Sequence, residues 1–361
     1  MTELEHRFPC DTCGSDLRFE PAQAQLACDH CGSVEAIDDG PRASALAELD
    51  FHAALKGDLK AEEMEETRCV GCPNCGAQVE FDAAQHAAEC PFCATPVVTD
   101  TGTNRHIKPR GVLPFSVGED AARDALQEWL GSLWFAPGGV ADYARKGRKM
   151  SGIYVPYWTF DADTKSQYKG QRGTHYYETR TVVRDGKQTQ QRVRKTRWRR
   201  VSGRVARFFD DVLVLASRSL PKKYTDRLSP WDLSDLRPYQ PEYLAGFRAE
   251  AYTVELDDGF KEAKAIMNRV IERDVRFDIG GDAQRITDLK TQVRDVTFKH
   301  LLLPVWMAAY KYRGKTYRFV VNGRTGQVQG ERPWSAWKIA IAVIVVAILA
   351  GVAGYFIAMN Q

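Results

Sequence analysis

Nine cysteines stand in the first 93 of 361 residues, and eight of them fall into two copies of one spacing. Cys10, Cys13, Cys28 and Cys31 read C-x2-C-x14-C-x2-C, and Cys72, Cys75, Cys90 and Cys93 repeat it. A C-x2-C turn places two thiolates on one side of an ion, and two such turns complete a tetrahedron. The pattern predicts two structural zinc ions, although iron fits the same four-thiolate cage. Four thiolates leave no open coordination position, so these sites are expected to hold structure rather than to catalyse. Disulfides are the competing chemistry, disfavoured in a compartment that keeps thiols reduced. Cys69 also stands x2 before Cys72, which offers the second site another register; the shared x14 interval favours Cys72 and Cys75 and leaves Cys69 free. Gly14, Gly32 and Gly76 follow three of the pairs, where a tight turn needs freedom in φ, and Ala94 takes that place after Cys93. His30 and His86 lie inside the modules, but each ligand set is complete without them.

Other chemistry is not evident. Gly314-Lys315-Thr316 resembles the end of a phosphate-binding loop, but that loop requires a glycine where Ala309 stands. Tyr310 and Tyr312 alternate with charged residues before the glycine, and Tyr317, Phe319 and Val321 alternate after it. Alternation with a period of two predicts strands, and Asn322-Gly323 and Thr325-Gly326 predict tight turns, so the segment reads as a β-meander. The seven histidines are scattered, and His175 and His300 sit among aromatic or apolar neighbours as packed histidines do. Asp210-Asp211 reads as a strand end or surface feature. No hydrolase or dinucleotide motif is present, and the expectation is a protein that is not an enzyme.

The charge is divided. Residues 1–100 carry a net −14 and the remainder +17, inside a total of +3. The acidic half would repel phosphate, which favours a protein partner for the ribbons over nucleic acid. The basic half is concentrated in residues 179–207, with eleven Lys/Arg and one acid, Asp185. Asp185-Gly186 predicts a hairpin turn between two strand-like arms. Arg192, Arg194, Lys195, Arg197, Trp198, Arg199 and Arg200 are its candidate contact residues. They suit an anionic membrane surface, a nucleic-acid backbone with Trp198 stacked on a base, or the chain's own acidic ribbons, and a solvated hairpin is the plain alternative. Lipid ranks above nucleic acid here, because residues 339–358 are 20 residues without a charge, long enough to span a bilayer. Trp334, Trp337, Arg332 and Lys338 flank the near end of that run, as interfacial anchors do. The N-terminus has no signal-peptide pattern, so the expectation is a single-pass protein of the cytoplasmic membrane with its N-terminal domains in the cytoplasm.

These features need elements to hold them. The fold class expected is two small β zinc ribbons, an α+β domain with antiparallel β-meanders, and a single C-terminal transmembrane helix. The divisions are ribbon 1 at 1–40, a helical acidic spacer at 41–68, ribbon 2 at 69–100, the α+β domain at 105–333 with its basic hairpin at 179–207, and the helix at 339–358. The spacer reading rests on Leu46, Leu49, Ala53 and Leu55 at roughly helical spacing within 44–66. Amphipathic helices are predicted at 118–137, with Ala122, Leu126, Trp129, Leu130 and Leu133 inward, and at 258–275, with Phe260, Ala263, Met267, Val270 and Ile271 inward. Residues 153–160 and 301–308 share a Pro-x-Trp step, which leaves a duplicated unit and a chance likeness both open.

The paired "CDTCG…CDHCG" and "CPNCG…CPFC" ribbons, "YVPYWTFD", "FFDDVLV", "LLLPVW…YKYRGKTYRFVVNGRTG" and the final helix resemble a family of bacterial membrane-anchored zinc-ribbon proteins. The likeness covers nearly the whole chain. Members are often labelled as the primosomal replication-restart helicase, and others are associated with phage-shock and stomatin-like membrane-stress systems. The helicase label implies a nucleotide loop, and Ala309 departs from it. The resemblance therefore implies an adaptor that recruits cytoplasmic proteins to the membrane, with a replication-associated, nucleic-acid-binding role as the alternative.

Overall fold

The computed structural model describes residues 8–38, 46–80, 87–92, 95–98, 102–133, 150–184, 187–312, 315–331 and 335–359. Its backbone is a nine-stranded mixed sheet dominated by three strands of unusual length. The first ribbon is β1 (Arg18–Glu20), β2 (Gln25–Ala27) and β3 (Val34–Glu35), a three-stranded antiparallel sheet. Next come β4 (Leu49–Asp50) and α1 (Phe51–Lys56). The second ribbon region is built from β5 (Met64–Gly71), β6 (Gln78–Glu80), β7 (Ala87–Glu89), β8 (Pro96–Val98) and β9 (Gly102–Ile107). The main body follows with β10 (Gly111–Val112), α2 (Glu119–Gly131), β11 (Ser151–Arg184) and β12 (Lys187–Leu215). It continues with β13 (Arg237–Pro238), β14 (Arg248–Ala249), α3 (Leu256–Ile279), β15 (Ala283–Tyr312), β16 (Lys315–Asn322) and β17 (Val328–Gly330). Last comes α4 (Ala336–Met359).

The acidic spacer is not the helix its leucine spacing predicts. Among the described residues of the spacer, α-helix is confined to the six residues of α1, where the Asp50 side chain caps the amide of Ala53 and Gly57, at φ 79°, ends the turn, with one 3₁₀ turn at Ala61–Glu63. Leu49 is instead drawn into the sheet, where β4 pairs with β15 through Leu49↔Phe298. Phe51 is buried against Phe160 and Phe260. Glu65 and Glu66 lie on β5, which pairs with β9. Burial of Leu49 and Phe51 in the body outweighs the weak preference of a short acidic segment for helix.

Strands β12, β11 and β15 lie side by side in that order, both pairings antiparallel. The two Pro-x-Trp segments are neighbours in this sheet, with Tyr154 opposite Pro304 and Pro156 opposite Leu302. The 310–328 segment is a meander, as the alternation predicts: β15 pairs with β16 from Val305↔Asn322 to Tyr312↔Lys315, and β16 with β17. Asn322 is wholly buried at its turn, its side-chain oxygen accepting from the amides of Arg324 and Thr325. Arg313 and Gly314 lie outside the described residues.

Alternating side chains send the base of the sheet into two cores. Tyr154, Leu302, Trp306, Phe319 and Val321 face one side with α2 and ribbon 1; Ile153, Val155, Leu301, Leu303, Val305 and Val320 face the other with ribbon 2. Farther along, α3 packs Phe260, Ala263, Met267, Ile271, Val275 and Ile279 against Trp158, Phe160, Ala162 and Tyr168. Gly259 makes that approach possible, since a Cβ there would lie 2.7 Å from Trp158 Cδ1. Both amphipathic helices bury the expected stripes; Pro137 lies outside the described residues.

Candidate metal centres and basic ribbon

Three of the cysteine pairs close by the same local bonds. The Cys10 amide donates to the Ser15 carbonyl at 2.7 Å, and the Gly14 amide donates to the Cys10 carbonyl at 2.8 Å. Cys28 repeats this with Ser33 and Gly32, and Cys72 with Ala77 and Gly76. The three glycines have φ of 75°, 76° and 74°, a conformation that strains any L side chain. Cys90 makes the first half of the pattern, its amide donating to Thr95 at 2.8 Å.

These turns converge the sulfurs. In ribbon 1 the Sγ atoms of Cys10, Cys13, Cys28 and Cys31 lie within 4.8 Å of one another. Cys10 and Cys31 are 3.5 Å apart, as are Cys13 and Cys28. A zinc tetrahedron with Zn–S near 2.3 Å spaces its sulfurs at roughly 3.8 Å, whereas a disulfide needs about 2.05 Å. In ribbon 2 Cys72, Cys75 and Cys90 converge in the same way, with Cys75 and Cys90 3.6 Å apart. Cys93, the fourth residue of that spacing, lies outside the described residues. Cys69 is buried on β5 and is not one of the converging sulfurs.

Hydrogen bonds hold two ribbon 1 thiols low, while Cys28 is raised to about 11. The Ser33 hydroxyl, 2.8 Å from Cys10 Sγ, together with the amides of Thr12 and Cys13, holds that thiol below its usual range. Hydrogen bonds from the Ser15 amide and hydroxyl bring Cys13 down to about 6. Cys75 goes the other way, pushed up by the Cys90 sulfur beside it and then by burial. Thiolates this close repel one another until a metal stands between them, so ribbon 1 fits a four-sulfur ion and the three described sulfurs of ribbon 2 fit part of a like site.

The ribbons are embedded rather than appended. Cys10 and Cys28 are buried in one core of the main body, and Cys72 and Cys90 in the other. One segment ties both in place: the Phe19 amide donates to Ala245, the Ala251 amide donates to Gln78, and β14 between them pairs with β11.

The basic hairpin is far longer than 179–207, because its arms are β11 and β12 in full. The pairing ends at Arg184↔Lys187, and Asp185-Gly186 lies outside the described residues. Strand β15 accompanies β11 only as far as Gly173↔Ala283. Beyond that, eleven residue pairs form a two-stranded ribbon to which no third strand pairs among the described residues, about 36 Å long at roughly 3.3 Å per residue. Arg192 lies over the Tyr177 ring at 5.1 Å, Arg197 over Tyr176 at 5.4 Å, and Lys195 pairs with Glu178. Trp198 is less available for a base than its sequence position suggests, since Arg285 covers its ring at 4.0 Å. Arg199 and Arg200 stand at the ribbon's root, opposite Arg172 and Gln171.

Two buried polar groups had escaped the sequence reading. Lys299 lies between Asp211 at 2.8 Å and Glu48 at 2.9 Å. Asp161 joins them, 5% exposed, accepting from the Asp211 amide at 2.7 Å. Burial, followed by a hydrogen bond shared with Glu48, raises Asp161 to about 7. The second is Glu250, 1% exposed, which accepts from Ser217 at 2.8 Å and from Ser219 and is raised to about 8 by burial. His300 is a packed histidine, as expected: Nδ1 is 2.8 Å from the Ile107 carbonyl, and burial depresses it to about 3. The signals that pointed to these groups were single charged residues inside strand-like runs, such as Lys299 in "FKHLLLPVW".

A protein of Bacillus subtilis strain 168, described as uncharacterized protein YdjG, is similar to this chain. The two are 27% identical over 335 residues, which is 92% of each. No protein-family model matches the chain, and no solved structure does.

Proposed function

We propose that this chain is a membrane-anchored, non-enzymatic adaptor whose zinc ribbons recruit a cytoplasmic protein. The observation that carries the proposal is α4: residues Trp337–Phe356 form a 20-residue apolar stretch, none of it buried against the rest of the protein. A face so large and uniformly apolar needs a cover, and a bilayer of about 30 Å matches its length. Lys338 at its near end favours a cytoplasmic position for the main body. With the four converging thiolates of ribbon 1 on one ion, and Cys93 completing the second set, both sites would supply rigidity without an open metal position. The outward residues of ribbon 1 include Asp11, Asp16 and Asp29, a surface suited to a basic patch on a protein partner. The resemblance to membrane-stress families supports an envelope-stress response as the setting of such recruitment.

The test uses those aspartates and spares the cysteines, four of which belong to the cores. Full-length protein and an Asp11→Lys/Asp16→Lys variant are affinity-captured from native membranes. The proposal expects both to resist a carbonate wash and the variant alone to lose its co-purifying proteins. A wild-type chain released by the wash, or identical captured sets, would overturn it.

A further inference from the structure

The two-stranded ribbon presents basic groups on both faces. Directly paired residues of antiparallel strands share a face. Thr174/Arg197, Tyr176/Lys195 and Arg180/Gln191 therefore lie on one side, and Tyr177/Arg194 and Thr179/Arg192 on the other. Glu178 is the one acid on the ribbon's described residues. A planar lipid surface meets one face of such a ribbon, so the second set of charges would have no use there. The two walls of a duplex groove meet both.

Position points the same way. The zinc ribbons, with Tyr154 and Trp306, occupy the base of the sheet, and β17 returns to that base only six residues before α4. The tip of the basic arm at Arg184 lies 30 residues along β11 from Tyr154, up to about 100 Å at roughly 3.3 Å per residue. The acidic ribbons therefore stay near the root of the anchor, while the basic arm reaches away from it.

We propose that the two-stranded segment 174–184 and 187–197 is a binding arm for duplex DNA that enters the major groove. That groove, about 12 Å wide, admits a two-stranded β-ribbon, and one turn of B-DNA is about 34 Å, close to the ribbon's length. Arg180, Arg192, Arg194, Lys195 and Arg197, with Arg199 and Arg200 at the root, offer up to seven phosphate contacts. Tyr176 and Tyr177, held under arginines, stiffen the arm. The inference goes beyond the adaptor reading and does not involve the zinc-ribbon surface.

The test is binding of a 30-base-pair duplex to the full-length protein in zwitterionic lipid nanodiscs, between 50 and 200 mM salt. Seven contacts predict a loss of roughly 10³–10⁴-fold in affinity across that range. Changing Arg192, Arg194, Lys195 and Arg197 to Ala leaves three contacts and a loss of about 40-fold. Metal content and thermal unfolding report whether the variant is folded. If it is not, Arg192→Gln and Arg194→Gln singly should each lower the salt slope by about one. Duplex binding that is absent at 50 mM salt, or equal in wild type and variant, would overturn the proposal. So would vesicles containing phosphatidylglycerol that bind the wild type more tightly than the duplex and lose the variant. Protein capture through the Asp11 and Asp16 surface should be unchanged in the arm variant, which separates the two readings.

Discussion

Asp161→Asn isolates one of the two buried carboxyls with a raised pKa. In the folded chain Asp161 titrates at about 7 instead of 3.8, because it is buried and shares a hydrogen bond with Glu48. A carboxyl whose folded pKa is raised contributes stability that is complete below 3.8 and is lost as the pH rises to about 7. Within that window the loss is about 1.4 kcal/mol per pH unit, so about 2–3 kcal/mol disappears between pH 5 and 7. Glu48 has the opposite sign: it is depressed to about 2, so its contribution is present above 4.5 and constant over the same interval. The amide introduced by Asp161→Asn would imitate the protonated acid, its oxygen still accepting from the Asp211 amide and its NH2 group donating to Glu48. Urea unfolding of both proteins at pH 5, 6, 7 and 8 reads the difference directly. Wild-type stability relative to the variant should fall by about 2–3 kcal/mol from pH 5 to 7 and then level off. Parallel curves would show that Asp161 is ionised throughout and that the reasoning from its burial is wrong.

Other consequences concern the cores. Trp158 is fully buried and donates from Nε1 to the Val254 carbonyl at 2.9 Å, so Trp158→Ala should cost about 3–5 kcal/mol in the same unfolding assay. Gly259→Ala drives a methyl to 2.7 Å from that ring and should cost about 1–3 kcal/mol, most of it relieved when Trp158 is also made smaller. Because Cys10, Cys28, Cys72 and Cys90 are buried in the body's own cores, a strong chelator that strips metal from these sites should lower the melting temperature of the whole sheet domain. Loss of metal with an unchanged body transition would refute that coupling.

What was legible in the sequence was local or uniform. A cysteine turn needs only the pair, a glycine and two backbone bonds, so Cys10-x2-Cys13-Gly14 already specifies it. The apolar run of α4 announces itself by length alone. The β-meander at 310–328 was visible in its alternation. What failed depended on partners distant in the chain. Leu49 looked helical until Phe298 claimed it for the sheet. The reach of β11 and β12 was hidden because their outer halves are polar on both faces and carry no period-two signal. The embedding of the ribbons depends on the 245–251 segment, which has no motif. Lys299 drew no attention because its partners, Glu48 and Asp211, lie 251 and 88 positions away.

The most direct test of the account is the capture comparison on native membranes. If the adaptor reading is right, wild type and the Asp11→Lys/Asp16→Lys variant will both remain in the carbonate-washed membrane fraction, and a defined set of cytoplasmic proteins will be recovered only with the wild type. If the same proteins are recovered with both, or if the wild type leaves the membrane in the wash, the chain is not an anchored adaptor that recruits through its ribbons.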